Sequence, residues 1–228
     1  RFLLDGGPHP PRDASGFVPG PMVHSYLRLC GFLGLSLPEH PKPRLFVNPE
    51  LEEQAEEYLR DLGIGETDTV IGLNPGAQFG SSKCWPPEYF ARLADGLHRR
   101  TDAVLLLLVG PGEEEIARRI VESADAPILN TADRIVDLAL LKPIIRRCNL
   151  LITNDTGPRH YAVAFDVPAV VLMGPTDPRW TAANLEHTTV LREDVDCSPC
   201  HLKTCPIDHR CMRNITPDRV LEAALAYL

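Results

Sequence analysis

LLITNDTGPRHYAVAF, residues 150–165, is the stretch whose reading decides the fold. Leu150 to Thr153 is an apolar run that reads as a buried strand. Pro158 to Phe165 reads as the first turns of a helix. NDTGPRH, Asn154 to His160, is then a strand-to-helix turn. In an open parallel α/β sheet, ligands sit at such turns, outside the carboxyl ends of the strands.

Working outward, the same pattern repeats. Strand-length apolar runs fall at Val70–Leu73, Ala103–Val109, Ala126–Leu129, Leu150–Thr153, Ala169–Met173 and Thr188–Leu191. Between them, spacing predicts helices over Pro87–Arg99, Glu113–Ser123, Val136–Arg147 and Pro158–Phe165. A last helix is predicted over Pro217–Leu228, with Thr216 as its N-cap and Pro217 in its first turn. The strands are continuously apolar rather than alternating, so both faces of the sheet are covered. The predicted fold is therefore α/β, a doubly wound parallel sheet, occupying 50–228.

Residues 1–49 differ. They are rich in proline, as in PHPPRD and PEHPKPR, and carry one helix candidate, Met22–Leu33. This is too little to bury a core, so the region reads as the tail of another domain plus a linker. A second helix, Asn48–Leu62, starts with Glu50, Glu52 and Glu53, as a helix dipole favours.

The bulk properties exclude several classes. A net charge of −8 gives no electrostatic footprint for nucleic acid. No apolar run approaches the ~20 residues that span a bilayer. The start, RFLLDGGPHPPRD, has neither a signal-peptide core nor an initiator Met, so a reducing, cytoplasmic compartment without disulfides is expected.

Four turns carry chemistry. NPGAQFGSSKCWPPEYF, 74–90, has glycines and the serines Ser81 and Ser82 that can wrap an anion, with Lys83 placed to reach a phosphate. A flexible loop with a solvated lysine is the plainer reading. There is no GxGxxG and no GxxxxGK[ST], so the dinucleotide fingerprint and the P-loop are excluded. VGPGEEE, 109–115, opens a helix with carboxylates. Glu113 can accept from ribose hydroxyls or, with Glu114, simply cap the helix.

NDTGPRH is the third turn. Gly157 permits close backbone approach, Pro158 starts the helix, and the free N–H groups suit an anion. His160 can donate to a phosphate. Asp155 would repel one, and fits better as a cap or as a holder of sugar hydroxyls or a cation. The fourth, MGPTDPRWT, 173–181, is a rigid turn with Thr176, Asp177 and Arg179 expected along the same cleft edge. Separately, CSPCHLKTCPIDHRC spaces Cys197, Cys200, Cys205 and Cys211 as C-x2-C-x4-C-x5-C. Tetrahedral zinc takes four such thiolates, although the spacing is tighter than in ordinary fingers, and reduced cysteines packing a loop would look the same.

Together, NPGAQFGSSKCWPPEYF, NDTGPRHYAVAFDVP, GPTDPRW and the CSPC to ITPDRV segment resemble family 9 glycosyltransferases, and most closely the heptosyltransferase II branch. The resemblance covers about 70 to 228. It implies a GT-B fold, two Rossmann-like domains facing across a cleft, of which this chain carries the nucleotide-sugar side. It implies transfer of heptose from ADP-heptose to the lipopolysaccharide inner core, with inversion. In that scheme Lys83 contacts the donor phosphates and Glu113 the ribose, and Val136 lines the adenine pocket. Asp155 holds the sugar or a divalent ion such as Mg2+. Thr156 and Gly157 supply N–H groups to the pyrophosphate, with His160 nearby and Ser82 beside Lys83.

No redox cofactor is implied, and contact with the inner membrane would come through the acceptor. The family's catalytic base lies in an N-terminal domain of which residues 1–49 can hold only the tail. The chain is thus expected to bind donor without catalysing efficiently. A non-catalytic nucleotide-binding module and a GT-B enzyme using a UDP-sugar are the other readings left open.

Overall fold

The computed structural model describes residues 6–14 and 16–228. The chain divides into two compact units. One comprises residues 1–42 with Asp177–Leu185, the other Pro43–Thr176 with Glu186–Leu228. The division falls seven residues before the boundary read from composition, and the first unit also takes a segment from the fourth turn.

In the first unit, β1 (Arg12–Asp13) pairs antiparallel with β2 (Gly16–Phe17), and the Arg12 guanidinium lies 4.3 Å from the centre of the Phe17 ring. α1 spans Met22–Phe32 and buries none of its residues. The segment Asp177–Leu185 contains a 3-10 turn, Pro178–Thr181. Asp177 caps it by accepting from the Arg179 N–H at 2.9 Å. The Asp177 carboxylate also holds the Arg179 guanidinium.

The second unit is the predicted sheet. In chain order it contains α2 (Pro49–Asp61), β3 (Val70–Asn74), α3 (Pro87–Arg100), β4 (Val104–Leu107), α4 (Glu114–Ser123) and β5 (Leu129–Asn130). Then come α5 (Leu141–Arg147), β6 (Leu150–Asn154), α6 (Gly157–Ala164), β7 (Ala169–Leu172), β8 (Thr188–Leu191), α7 (Arg210–Arg213) and α8 (Pro217–Leu225). All neighbouring strands are parallel, in the order β5-β4-β3-β6-β7-β8. This is the winding of a Rossmann sheet, in which the strand order reverses between β3 and β6.

Continuous apolar strands are explained by two cores, one on each face. On one face Ile71, Leu73, Leu105 and Leu107 pack against Phe90, Leu93 and Leu97 of α3, Ile120 of α4 and Val220 of α8. On the other, Val70, Leu106 and Leu151 pack against Tyr58 and Leu59 of α2, Ile144 and Ile145 of α5 and Ala162 of α6. The inner strands β3, β6 and β7 therefore send alternate residues to opposite cores and are buried throughout.

Two boundaries depart from expectation. The strand predicted at Ala126–Leu129 is only Leu129–Asn130, because the edge position pairs it with Leu106 and Leu107 alone. The helix predicted from Val136 begins at Leu141, after a turn in which the Asp137 carboxylate accepts from the N–H groups of Ala139 and Leu140. Residues 135–138 are left as a loop. The hairpin and α7 are too short for periodicity to reveal. Among the described residues, no helix is long and apolar enough to cross a membrane.

Candidate functional site

Asn74 ends β3 and Asn154 ends β6, so the reversal point of the sheet lies between two buried asparagines. The turn after β3 is fixed from below. Trp85 is fully buried, with Tyr89 and Phe90 edge-on to its ring, and its indole N–H donates to the Ile215 carbonyl at 2.8 Å. Its backbone N–H donates to Asn154 Oδ1 at 3.1 Å, while Asn154 Nδ2 donates to the Pro75 carbonyl at 2.6 Å. Asn154 thus ties the β3 turn to the β6 turn.

The Ser81–Lys83 turn is held from the other side by the cysteine-rich segment. Ser82 N–H donates to the Lys203 carbonyl at 3.0 Å, the Ser82 hydroxyl to the Leu202 carbonyl, and His209 Nε2 meets the Ser82 carbonyl at 2.7 Å. Gly80, at φ +150°, is required because a Cβ there would collide with the Lys203 backbone. Ser82, read as an anion ligand, is therefore buried and bonded to protein. The same segment reaches the turn after β7, where Cys200 and His201 N–H groups donate to the Pro175 carbonyl and the Ser198 hydroxyl to the Gly174 carbonyl.

All seven cysteines are free thiols. Burial, then the nearby Cys197, Cys200 and Cys205, push the Cys211 thiol up to about 11. Among the described residues no group of three or more His, Cys, Asp or Glu side chains is disposed to hold a metal ion. The segment that carries Cys197, Cys200, Cys205 and Cys211 braces the turns after β3 and β7.

Asp155 is the hub of the NDTGPRH turn. It is 7% exposed, and its Oδ2 takes Lys83 Nζ at 2.8 Å and the Thr176 hydroxyl at 2.7 Å. Its Oδ1 takes Arg159 Nη1 at 2.8 Å, one helical turn on, and its backbone carbonyl takes Lys83 Nζ at 2.9 Å. Burial alone would raise its pKa. The bond and charge of Lys83, with Thr176 and Arg159, outweigh burial and hold it down to about 2. This answers the objection that a carboxylate spoils a phosphate site. Two cations, Lys83 and Arg159, close on this one carboxylate beside the N-terminus of α6. Both oxygens of the Asp155 carboxylate are thus engaged by protein groups in this structure.

Thr156 is the N-cap of α6 and makes no side-chain cap, and a Cβ on Gly157 would meet nothing within 4 Å, so the first turn faces open space. That space is a cavity of about 740 Å³. Thr156, Gly157 and Pro158 line it on one side, Gly110, Gly112 and Glu113 on another. Leu108, Ile116, Ile135, Val136, Leu138 and Leu141 form an apolar slot. Such a pocket, apolar with a few convergent polar groups, is the usual form of a small-molecule site.

Glu113 occupies the N-cap position of α4 without capping it by its side chain. Its carboxylate instead folds back to accept from Gly110 N–H at 2.9 Å and lies directly on Gly76, where any Cβ would strike it. Burial raises its pKa, opposed by the Gly110 N–H. His160 is open to water over much of its surface. Desolvation by its packed side, then the Arg159 charge, lower its pKa, with Asp155 opposing. Of the residues singled out from sequence, Glu113, Val136, Thr156 and Gly157 line the cavity. Lys83 and Asp155 stand behind its α6 wall through the ion cluster. Sequence reading missed Arg159, for which the i,i+4 spacing from Asp155 is the available signal, and Asn74, Thr131 and Cys84 of the cavity wall.

The model of glycosyltransferase family 9 (heptosyltransferase) matches residues 18–210. The chain belongs to this family. It is 34% identical over 160 residues to lipooligosaccharide heptosyltransferase 2 of Campylobacter jejuni, covering 68% of this chain and 50% of that protein. Among solved structures, a family 9 glycosyltransferase of Veillonella parvula superposes with a TM-score of 0.81 at 26% identity, over 100% of this chain and 64% of that one. ADP-heptose lps heptosyltransferase II of Escherichia coli does so with a TM-score of 0.73 at 27% identity, over 91% and 62%. The chain thus spans about half to two thirds of the length of these family members. The six-stranded parallel sheet is the α/β architecture that the heptosyltransferase structures share with it.

Proposed function

We propose that this chain is the donor-binding half of an inverting glycosyltransferase that transfers heptose from ADP-heptose to the lipopolysaccharide inner core. The observation that carries the reading is the cavity at the reversal point of the sheet. Its polar side is a helix N-terminus backed by the Lys83–Asp155–Arg159 ion cluster, and its other lining is apolar apart from Glu113. The diphosphate would lie at Thr156 and Gly157, the ribose at Glu113, and the adenine in the slot with Val136.

In the transfer, the acceptor hydroxyl attacks the anomeric carbon in line and loses its proton to a carboxylate base outside this site. The bond from the anomeric carbon to the diphosphate breaks, and negative charge grows on the departing ADP. The α6 N-terminus and the Lys83 side of the cluster are aimed where that charge develops, and they need no reorganisation at that moment. The positive potential comes from these fixed groups, so neither Mg2+ nor a redox cofactor is required. The acceptor would bring the protein to the cytoplasmic face of the inner membrane.

Calorimetric titration with ADP, UDP and GDP tests the donor assignment. ADP should bind tightest. Preference for UDP would replace this reading with a UDP-sugar enzyme.

A further inference from the structure

The two asparagines that flank the reversal point differ in a way that points to a ligand. Both are buried, Asn74 at 6% exposure and Asn154 at 0%. Asn154 has spent its amide: Oδ1 accepts from Trp85 N–H, and Nδ2 donates to the carbonyls of Pro75 and Gly76. Asn74 has not. Its Oδ1 is buried and has no hydrogen-bond partner, although the residue lines the cavity. Buried amide oxygens without a partner are rare and costly, so such a group calls for an explanation. A structural role explains Asn154 and does not explain Asn74.

The surroundings say what the missing partner is. Asn74 is two residues before Gly76, and the Glu113 carboxylate lies against Gly76. Glu113 lines the same cavity. A carboxylate and an amide therefore line one cavity, and the amide can turn either its oxygen or its NH2 by a half-rotation. Two adjacent hydroxyls satisfy this pair, one donating to the carboxylate and the other to the amide. A single phosphate oxygen does not, because Glu113 would repel it. The apolar slot on the far side of Glu113 takes a planar base, which fixes the sugar as the one attached to that base.

We infer that Asn74 is a specificity-determining residue of the nucleotide site, its amide pairing with a ribose hydroxyl next to the one held by Glu113. The assignment rests on the proposed nucleoside-diphosphate reading of the cavity and adds to it a residue that chooses ribose over deoxyribose. Because Asn74 Oδ1 has no protein partner to lose, the change Asn74→Ala should leave the ligand-free melting temperature nearly unchanged.

The experiment titrates the native chain and Asn74→Ala with ADP and with 2′,3′-dideoxyadenosine diphosphate. The native protein should prefer ADP by tenfold or more. In Asn74→Ala that preference should fall severalfold, through weaker ADP binding, while dideoxy binding holds. Asn74→Leu, close in volume, serves if the alanine variant does not fold. Full discrimination retained in either folded variant, or none in the native protein, overturns the role of Asn74 alone. Failure of the native protein to bind any adenine nucleotide overturns it together with the donor assignment.

Discussion

The Asp155 cluster and the cavity wall it backs are built on opposite plans. Around Asp155 the acceptors are filled: Lys83, Arg159 and Thr176 saturate the carboxylate within a turn that burial has already dried. Around the cavity, Asn74 Oδ1 is unpaired, Thr156 leaves its helix uncapped, and Glu113 turns away from the helix it precedes. The difference separates two jobs. The cluster fixes charge in place before any ligand arrives, which is what preorganisation requires. The wall holds its hydrogen-bonding capacity in reserve for the ligand. A residue can therefore be essential in this site without touching the ligand, and the two plans predict different failures.

The largest effect should come from breaking the saturated side. Asp155→Ala removes the carboxylate that Lys83 and Arg159 share, and should cost ~3–5 kcal/mol of folding stability. Urea unfolding of the variant beside the native chain measures it. A change under ~1 kcal/mol would mean that the cluster is dispensable to the fold.

Next is the pH dependence of the same group. Its folded pKa of about 2 lies below its ordinary 3.8. Its contribution is therefore present above the unfolded value and is lost as pH falls through about 4 toward about 2. The shift corresponds to about 2 kcal/mol. Unfolding free energy between pH 6 and pH 2 should show this extra loss in the native chain and not in Asp155→Asn.

The contrast also explains what could be read in advance. The sheet was legible because strands covered on both faces must be apolar throughout, and Val70–Leu73 and Leu150–Thr153 are. β5 was misplaced because two residues at a sheet edge carry no such pattern. The expected start of α5 lies five residues early because Asp137 closes a side-chain turn on Ala139 and Leu140, which periodicity does not register. In the site, NDTGPRH pointed to the right turn, but its charges were judged singly. Asp155 looked hostile to phosphate until Arg159 and Lys83 were found on it. Asn74 carries no mark of its own along the chain, and only its unpaired oxygen distinguishes it from Asn154. Saturation is a property of three-dimensional neighbours and has no signature along the chain.

Ligand binding sharpens the comparison at smaller scale. Lys83→Ala should weaken ADP binding by ~1–3 kcal/mol, the range of a lost charge-assisted bond, with a parallel loss of stability because the lysine also serves Asp155. Calorimetry with thermal unfolding separates the two losses. Affinity unchanged in a folded variant would remove Lys83 from the phosphate site.

His160 should show the opposite balance. It stands outside the cluster, and its lowered pKa leaves it neutral near pH 7. His160→Ala should cost under ~1 kcal/mol of ADP binding there, the worth of a neutral hydrogen bond, and almost no stability. Its protonated form gains the diphosphate's charge as a partner, so binding should raise its pKa. Native affinity for ADP should then rise as pH falls below the ordinary 6.5, and the variant should lack that rise. A stability loss as large as that of Lys83→Ala, with no pH-dependent affinity, would place His160 in the saturated cluster and move the boundary between the two plans one helical position further along α6.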